Sequence, residues 1–582
     1  MTKSHSALKR RSDSPGTLLR RLNLLKWTFD PETAKGKVHL LRLLENARWQ
    51  RASAWVTFHD ALCVLRTYPD DAVVLRAAER GLSLLARRLD RHLGEAGPGR
   101  RDAFLDSGLA GSDVVHPFSL ELCDRLVHRY PGRVEIDWDE APEDSLDRLM
   151  RLQTLLVAWS ENDSLDYDFD LDAQTWLSRA KSRDDRTGLE TLLRLFRHSP
   201  VPRAVQRLLF DELYLPIRFK LGRLTISRTR HRLPCARAFY QSGPRVGRST
   251  DLREELARPA APLSRLSAKR GQYYIDALQD AHAVRNRELF PVIFANPAES
   301  YLYEAGRGLQ FVLFGMIPGM RLPFETNLGG LLVRNGMPLG YCIAAPWFDR
   351  SEIAINVFPA YRSGESAFVF EQFARLLHHH FGIRAFYVRS HQMGEDDPEP
   401  LESGAFWFYY KLGFRAVVPR VFALAEREMQ KISGQPDYRS PLSILKRLSH
   451  TDVMLHVDPR WQSRYQEPPL VNLAYAITRW FATEARGDRN LGTEKATSLL
   501  TGRLGLSGTR GWSMEEKVAL ERWAPLLVQI KGLPGWSSGD RAHLAAIVRA
   551  KGGPRELEFV RLCQSHPRLL TGLRQIARSV KR

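Results

Sequence analysis

The chain has 582 residues, which is more than one hydrophobic core usually holds, so about two to four domains are expected. Hydrophobic residues make up 43% and charged residues 26%, which excludes a wholly disordered chain. The formal net charge of +20 favours anionic partners, either nucleic acid or the phosphates of a cofactor.

The expected location is the cytoplasm. No apolar run approaches the roughly 18–20 residues of a membrane-spanning helix, and the basic, polar N-terminus lacks an apolar signal core. Five cysteines stand far apart with no CxxC pair, which predicts buried free thiols rather than a disulfide framework or a zinc site.

The first half of the chain is predicted to be mostly helical. Residues 1–20 are expected to be a disordered basic N-terminus. Residues 21–205 are expected to form a helical domain, because apolar residues recur at three- and four-residue spacing. Residues 206–269 are a basic connecting segment with a strand-like run at 213–226 and a linker at 258–262.

The region 270–425 has a different sequence pattern, which predicts strands as well as helices. Short runs rich in β-branched and aromatic residues at 310–316, 329–334, 339–345, 352–358 and 384–389 predict strands, and Asn335-Gly336 predicts a hairpin between two of them. A helix is predicted over 366–381. Residues 426–582 return to helical patterns, including a capping box at Ser513–Glu516.

Basic residues are unevenly distributed. Residues 541–582 contain ten Lys or Arg against two acids, and a second basic cluster spans Arg228–Arg232. We interpret both as solvated basic faces. Contact with RNA or DNA is the alternative, although no recognisable nucleic-acid module accompanies the charge.

A strand, a turn of small residues and a helix follow one another from Glu352 to Phe381. The first turn of a helix leaves backbone N–H groups unpaired, and small residues let a pyrophosphate approach them. The predicted cradle consists of Arg362, Ser363, Gly364, Ser366 and Ala367.

Three successive histidines, His378–His380, do not predict a metal site. Successive residues of a helix point about 100° apart, so the three rings cannot converge on one ion.

The segment Ala405–Phe414, AFWFYYKLGF, resembles the closing motif of the GNAT (Gcn5-related N-acetyltransferase) superfamily, A-x-x-x-Y-x-K-L-G-F. It follows a P-x-Y-R-x-G turn at Pro359–Gly364, as in that family. The resemblance is close from Glu352 to Phe414 and looser over 270–425. It implies an α/β fold: a GNAT-like domain with a mixed central sheet and helices, flanked by mostly α-helical N- and C-terminal regions.

The resemblance also implies roles for individual residues. The strand ending at Val357 would bind the pantetheine arm of acyl-CoA through backbone groups, and the turn would hold the pyrophosphate. Tyr409 would protonate the leaving thiolate, with core packing as the alternative interpretation of this side chain. Deprotonation of the acceptor amine needs a carboxylate or water, for which Glu352 and Glu325 are candidates unless they are ordinary surface acids.

The implied function is acyl-CoA-dependent N-acyl transfer, with acetyl-CoA as the expected donor, to an amine of unknown identity on a small molecule, peptide or protein. The turn departs from the family pattern, because one residue is missing after Arg362 and Glu365 replaces an aliphatic residue. Beside a pyrophosphate this carboxylate is repulsive unless it points away. A non-catalytic GNAT-like interaction or sensing module is therefore one alternative. An aminoacyl-tRNA-dependent transferase, which suits the net charge, is another.

Overall fold

Two compact units make up the structure, a computed structural model that describes residues 14–95, 97–165, 167–168, 170–249, 251–362, 364–435, 437–466 and 469–580. The first unit comprises Met1–Pro244, Asp276–Ile293 and Arg334–Pro338. The second comprises Arg245–Ile275, Phe294–Val333 and Leu339–Arg582.

The first unit is mostly helical. Its helices are α1 (Pro15–Leu25), α2 (Pro31–Leu44), α3 (Ala52–Thr67), α4 (Ala72–Gly94), α5 (Pro98–Asp102), α6 (Leu120–Arg129), α7 (Glu143–Leu156), α8 (Trp159–Leu165), α9 (Ala173–Arg179), α10 (Gly188–His198) and α11 (Arg203–Leu213). Strands β1 (Asp113–His116), β2 (Val134–Ile136) and β3 (Ile217–Lys220) form an antiparallel sheet in the order β1-β3-β2. The predicted strand over 213–226 is therefore shorter, because α11 continues to Leu213.

Two predictions for the first unit are wrong in part. Helix α1 begins at Pro15, inside the segment expected to be disordered, because the Ser14 hydroxyl caps it by accepting from the Thr17 N–H. Residues 1–13 lie outside the described residues. The cluster Arg228–Arg232 is not a solvated face throughout, since Arg228 pairs with Asp60 and Arg230 pairs with Asp90.

A large mixed sheet dominates the second unit. Among the described residues it has nine strands, in the order β11-β12-β10-β9-β8-β7-β6-β5-β4. The strands are β4 (Leu263–Arg265), β5 (Ala295–Gly306), β6 (Leu309–Met316), β7 (Leu328–Arg334), β8 (Met337–Trp347), β9 (Arg350–Val357), β10 (Ala385–Val388), β11 (Arg415–Ala416) and β12 (Val453–His456). Strand β10 runs parallel to β9, and β12 is antiparallel to both β10 and β11.

Five predicted strands correspond to β6 through β10, so this part of the prediction is confirmed. The hairpin is confirmed as well, because Asn335 and Gly336 both have positive φ values, 49° and 75°, as a tight β7–β8 turn requires. Strand β12 lies in the segment that was expected to be helical. This strand has only four residues, which is too short for a clear alternation of polar and apolar side chains, so the sequence pattern did not predict it.

Helices lie before, between and after the strands of this sheet along the chain and form most of the rest of the second unit. They are α12 (Leu252–Leu256), α15 (Ser366–Phe381), α16 (Pro398–Glu402), α17 (Ala405–Tyr410), α18 (Pro419–Gly434), α19 (Leu442–Ser449), α20 (Leu470–Ala485), α21 (Arg489–Leu504), α22 (Met514–Leu527), α23 (Ser538–Gly552), α24 (Glu556–Ser565) and α25 (Leu569–Ser579). Helix α13 (Ala268–Ala283) runs from the second unit into the first, and α14 (Phe290–Ile293) belongs to the first. The predicted helix over 366–381 and the Ser513–Glu516 capping box are confirmed.

Four buried charges hold α23 and α24 to the sheet. Arg321 pairs with Glu299 of β5 at 3.0 Å and with Glu556 at 3.6 Å, and Lys551 pairs with Glu556. All four side chains are at most 4% exposed. Because each charge has an opposite partner, the cluster is neutral as a whole and its burial is tolerated. We refer to these four residues as the buried charge cluster.

Four of the five cysteines are buried and Cys235 is exposed, so the prediction of buried thiols is wrong for Cys235. None of the helices in the described part of the chain is both long and apolar enough to cross a membrane.

Candidate active site

Strands β9 and β10 separate part-way along their length. Their parallel register runs from Arg350–Ala385 to Glu352–Tyr387 and ends there, although β9 continues to Val357. On its other side β9 stays paired with β8 as far as Val357 and Gly340. The described edge of β9 beyond Glu352 therefore presents backbone groups that β10 does not use. The Val357 carbonyl among them accepts from Arg362, and a ligand can pair with the others.

The turn after β9 leads straight into α15. It contains a 3-10 turn at Pro359–Tyr361, and α15 begins at Ser366 without a side-chain cap among the described residues. Its first N–H groups and the helix dipole therefore remain available to an anion. Gly364, Ser366 and Ala367 are half-buried at this turn. Ser363, also predicted here, lies outside the described residues.

The carboxylate of Glu365 is engaged away from the helix end. Its Oε1 accepts from the Val246 N–H at 2.8 Å and lies 3.3 Å from Nη2 of Arg307. The side chain is fully buried. Arg307 opposes its charge, so the repulsion that the sequence predicts at this position is reduced.

Arg362 connects the turn to the end of β9. Its Nε donates to the Val357 carbonyl at 3.1 Å, and its Nη1 pairs with Glu399. The side chain stays 37% exposed, so one face of the guanidinium remains open to solvent. Arg362 therefore fixes the end of β9 to the turn and offers positive charge beside the helix N-terminus.

Tyr409 sits in an aromatic cluster on α17. Its ring makes edge contacts with Phe370 of α15 at 5.5 Å and with Phe414 at 5.9 Å between ring centroids. Burial raises the pKa of its hydroxyl well above the usual range, so the group holds its proton at neutral pH. The neighbouring Tyr410 is different, since its hydroxyl donates to Glu426 at 2.5 Å.

Glu352 lies where β9 and β10 part. Its carboxylate accepts from Arg389 Nε at 3.2 Å and from Gln392 Nε2 at 3.3 Å, and Arg389 also pairs with Asp452 at 2.8 Å. The side chain is 28% exposed, so solvent reaches it. Glu352 is held in place at the point where the two strands open.

Glu325 is placed elsewhere. It pairs at 2.5 Å with Arg350, the fully buried first residue of β9. Seven strand residues at about 3.3 Å each separate Arg350 from Val357, so this pair lies roughly 20 Å from the turn. The structure does not bring Glu325 to the turn that precedes α15.

Asn356 is a site residue that the sequence analysis missed. It lies on β9 in the open part of the strand, and its Oδ1 is buried with no hydrogen-bond partner among the described residues. Trp407 of α17 shows the same feature at Nε1. A buried polar atom without a partner is costly, and of these two atoms Asn356 Oδ1 lies on the strand whose edge is open. The one sequence signal was a lone amide inside the apolar run EIAINVF.

The three histidines each contact a different backbone carbonyl. His378 Nδ1 lies 2.7 Å from the Ile383 oxygen, His379 Nε2 lies 2.9 Å from that of Leu256, and His380 Nε2 lies 2.8 Å from that of Ala261. The described residues contain no group of three or more His, Cys, Asp or Glu arranged to hold a metal ion.

Comparisons of the chain with protein-family models, with curated proteins and with solved structures give no match.

Proposed function

We propose that the second unit is a GNAT-like N-acyltransferase that takes an acyl group from acyl-CoA, with acetyl-CoA as the expected donor, and moves it to an amine. The observation that carries the proposal is the opening between β9 and β10, which ends beside the uncapped N-terminus of α15. An extended amide chain fits the open strand edge, and a pyrophosphate fits the helix end.

The strand order around the opening supports the same function. A parallel β9–β10 pair is followed by β12, which inserts between β10 and β11. The resemblance of the AFWFYYKLGF motif implies a mixed central sheet with helices, and a mixed sheet is present around the opening. Asn356 adds an unsatisfied amide oxygen on the open strand, suited to an N–H of the pantetheine arm.

The residues divide the chemistry between them. The amine nitrogen attacks the thioester carbonyl carbon, the C–N bond forms and the C–S bond breaks. We assign the protonation of the departing thiolate sulfur to Tyr409, which keeps its proton at neutral pH. The proton lost by the amine passes to Glu352 directly or through water, since this carboxylate is solvent-accessible at the strand opening.

Calorimetric titration with acetyl-CoA and with a long-chain acyl-CoA tests the proposal. Ala367→Glu places a carboxylate in the first turn of α15, where it suits the helix dipole but repels a pyrophosphate. Ala474→Glu, at an exposed position of α20, is the matched control. We expect saturable binding by the wild type and the control, and a loss of at least about tenfold in the Ala367→Glu variant.

Binding that is equal in all three proteins would contradict the placement of the pyrophosphate. A folded wild-type protein that binds neither thioester would reject acyl-CoA as donor and favour the non-catalytic module. Salt-dependent binding of aminoacyl-tRNA instead of acyl-CoA would favour the tRNA-dependent transferase.

A further inference from the structure

A second cationic site lies at the other end of α15, between the edge of the sheet and α24. It is a cleft of about 410 Å³ lined by Arg265, Tyr301, His380, Arg555, Glu558 and Arg561. Cavities of roughly 300–1,000 Å³ are typical of small-molecule sites. The cleft residues all belong to the second unit.

Two elements, β4 and α24, carry the three arginines. Strand β4 is the edge strand, and its Arg265 stands directly opposite Tyr301 of β5 in the antiparallel register. Arg555 is the N-cap residue of α24, and Arg561 lies in the same helix. The arginines approach one another from residues far apart in sequence, which a solvated basic helix face would not require.

The positive charge of this cleft is only weakly neutralised. Arg555 is 3.7 Å from Glu558, with both side chains about half exposed, so the pair contributes little. Arg265 Nη2 donates to the Ala298 carbonyl, which carries no net charge. The Arg561 guanidinium has no ion pair or hydrogen bond with any described residue.

The fields of the three arginines converge on Tyr301. Burial, followed by Glu299, raises the pKa of the Tyr301 hydroxyl, and Arg265, Arg555 and Arg561 act in the opposite direction. Glu299 does not cancel the cleft's charge, because Arg321 pairs with it. The Leu557 N–H in the first turn of α24 is bonded to Glu299, so the arginines rather than the helix end offer donors to a ligand.

We propose that this cleft binds a phosphate-bearing small molecule, through Arg265, Arg555 and Arg561, at a site separate from the acyl-CoA turn. Guanidinium groups offer paired N–H donors that match phosphate oxygens. Leu263 and Leu557 add apolar surface for the remainder of such a molecule. At 1.5 Å per residue, α15 separates His380 from Ser366 by roughly 20 Å, so one phosphate cannot occupy both sites.

The test is calorimetric titration of the full-length protein with inorganic phosphate and with pyrophosphate. Arg561→Glu reverses the charge of the arginine that has no structural partner, so the fold should be retained. Arg578→Glu makes the same charge change at an exposed position of α25 outside the cleft. Equal thermal unfolding midpoints would verify that both variants are folded.

We expect pyrophosphate to bind the wild type and Arg578→Glu, and to bind Arg561→Glu at least about tenfold more weakly. The proteins are compared in an Ala367→Glu background, because the turn before α15 is itself proposed to hold a pyrophosphate, and the outcome is then independent of the acyl-CoA proposal. Equal affinity in all proteins, equal loss in both arginine variants, or no binding to the wild type would overturn the proposal. Binding of an RNA oligonucleotide without binding of either phosphate probe would also overturn it, in favour of a nucleic-acid surface.

Discussion

Two polar regions of the second unit differ in how their groups are satisfied. In the buried charge cluster, each charged side chain meets an opposite charge and all four are almost fully enclosed. Around the β9–β10 opening, the strand edge, the helix end and Asn356 Oδ1 are polar groups that neighbouring described side chains leave open. Each region contains a buried polar atom without a hydrogen bond to a described residue, Glu556 Oε2 and Asn356 Oδ1. Glu556 nevertheless has ion-pair partners inside its cluster, whereas no described side chain is paired with Asn356 Oδ1, which suits Asn356 to a ligand.

The contrast predicts that mutations in the two regions separate stability from ligand binding. Substitutions in the buried charge cluster should lower the free energy of unfolding and leave acyl-CoA affinity almost unchanged. Substitutions at the opening should do the reverse.

Arg321→Met gives the largest expected effect on stability, a loss of about 3–5 kcal/mol, because it leaves Glu299 and Glu556 buried without their shared cation. The guanidinium also donates to the carbonyls of Met316, Lys551 and Gly553, and these bonds are lost as well. Denaturant unfolding followed by tryptophan fluorescence measures the change. Arg522→Met, at an exposed neighbour that donates two long bonds of 3.4 Å, is the control and should change stability by less than about 1 kcal/mol. A similar loss in both variants would contradict the prediction.

Tyr409→Phe gives the largest expected effect on turnover. Removal of a general acid lowers kcat by roughly 10²–10⁴-fold, while the aromatic packing against Phe370 and Phe414 is kept. Acyl-CoA affinity and the thermal midpoint should stay close to those of the wild type. Single-turnover transfer to a screened amine provides the rate. Tyr410→Phe tests specificity, because it removes only the bond to Glu426. A larger rate loss in this variant than in Tyr409→Phe would assign the general acid to Tyr410 instead.

Glu299→Gln should flatten the dependence of stability on pH. Burial raises the pKa of Glu299 from 4.5 to about 7 despite the opposing charge of Arg321. The folded state therefore binds this proton more tightly than the unfolded state. The stabilisation that this proton gives to the folded state is fully present below about pH 4.5. It is lost as the pH rises towards 7, with a slope of roughly 1 kcal/mol per pH unit.

Denaturant midpoints measured from pH 4.5 to 7.5 provide the check on Glu299. The stability of the wild type should fall steadily relative to that of Glu299→Gln as the pH rises across this window. Glu402→Gln, at an exposed acid, should follow the wild-type curve. Parallel curves for wild type and Glu299→Gln would show that Glu299 does not titrate in this range.

The sequence predicted the local elements of the second unit well and their assembly less well. Short runs rich in β-branched and aromatic residues marked β6 through β10, and the apolar stripe of 366–381 marked α15, because each pattern lies within one element. Strand β12 depends on pairing with β10, and the buried charge cluster depends on a pair more than two hundred positions apart, Arg321 and Glu556; no local pattern encodes such pairs. The arginine clusters make the same point, since Arg230 is paired with Asp90 while Arg561 is not paired, and their sequence contexts do not distinguish them.

Asn356→Leu is the most sensitive test of the contrast between the two regions. Replacing an amide whose buried oxygen has no hydrogen-bond partner among the described residues removes a desolvation cost, so stability should stay the same or rise slightly. If Asn356 Oδ1 accepts from the pantetheine arm, acyl-CoA binding should weaken by about 1 kcal/mol, roughly fivefold, in a calorimetric titration. Asn490→Leu, at an exposed position in α21, is the matched control and should leave binding unchanged. An Asn356→Leu protein that loses stability but not acyl-CoA affinity would show that Asn356, like the buried charge cluster, serves the fold. The open edge of β9 would then offer a ligand no side-chain contact from Asn356.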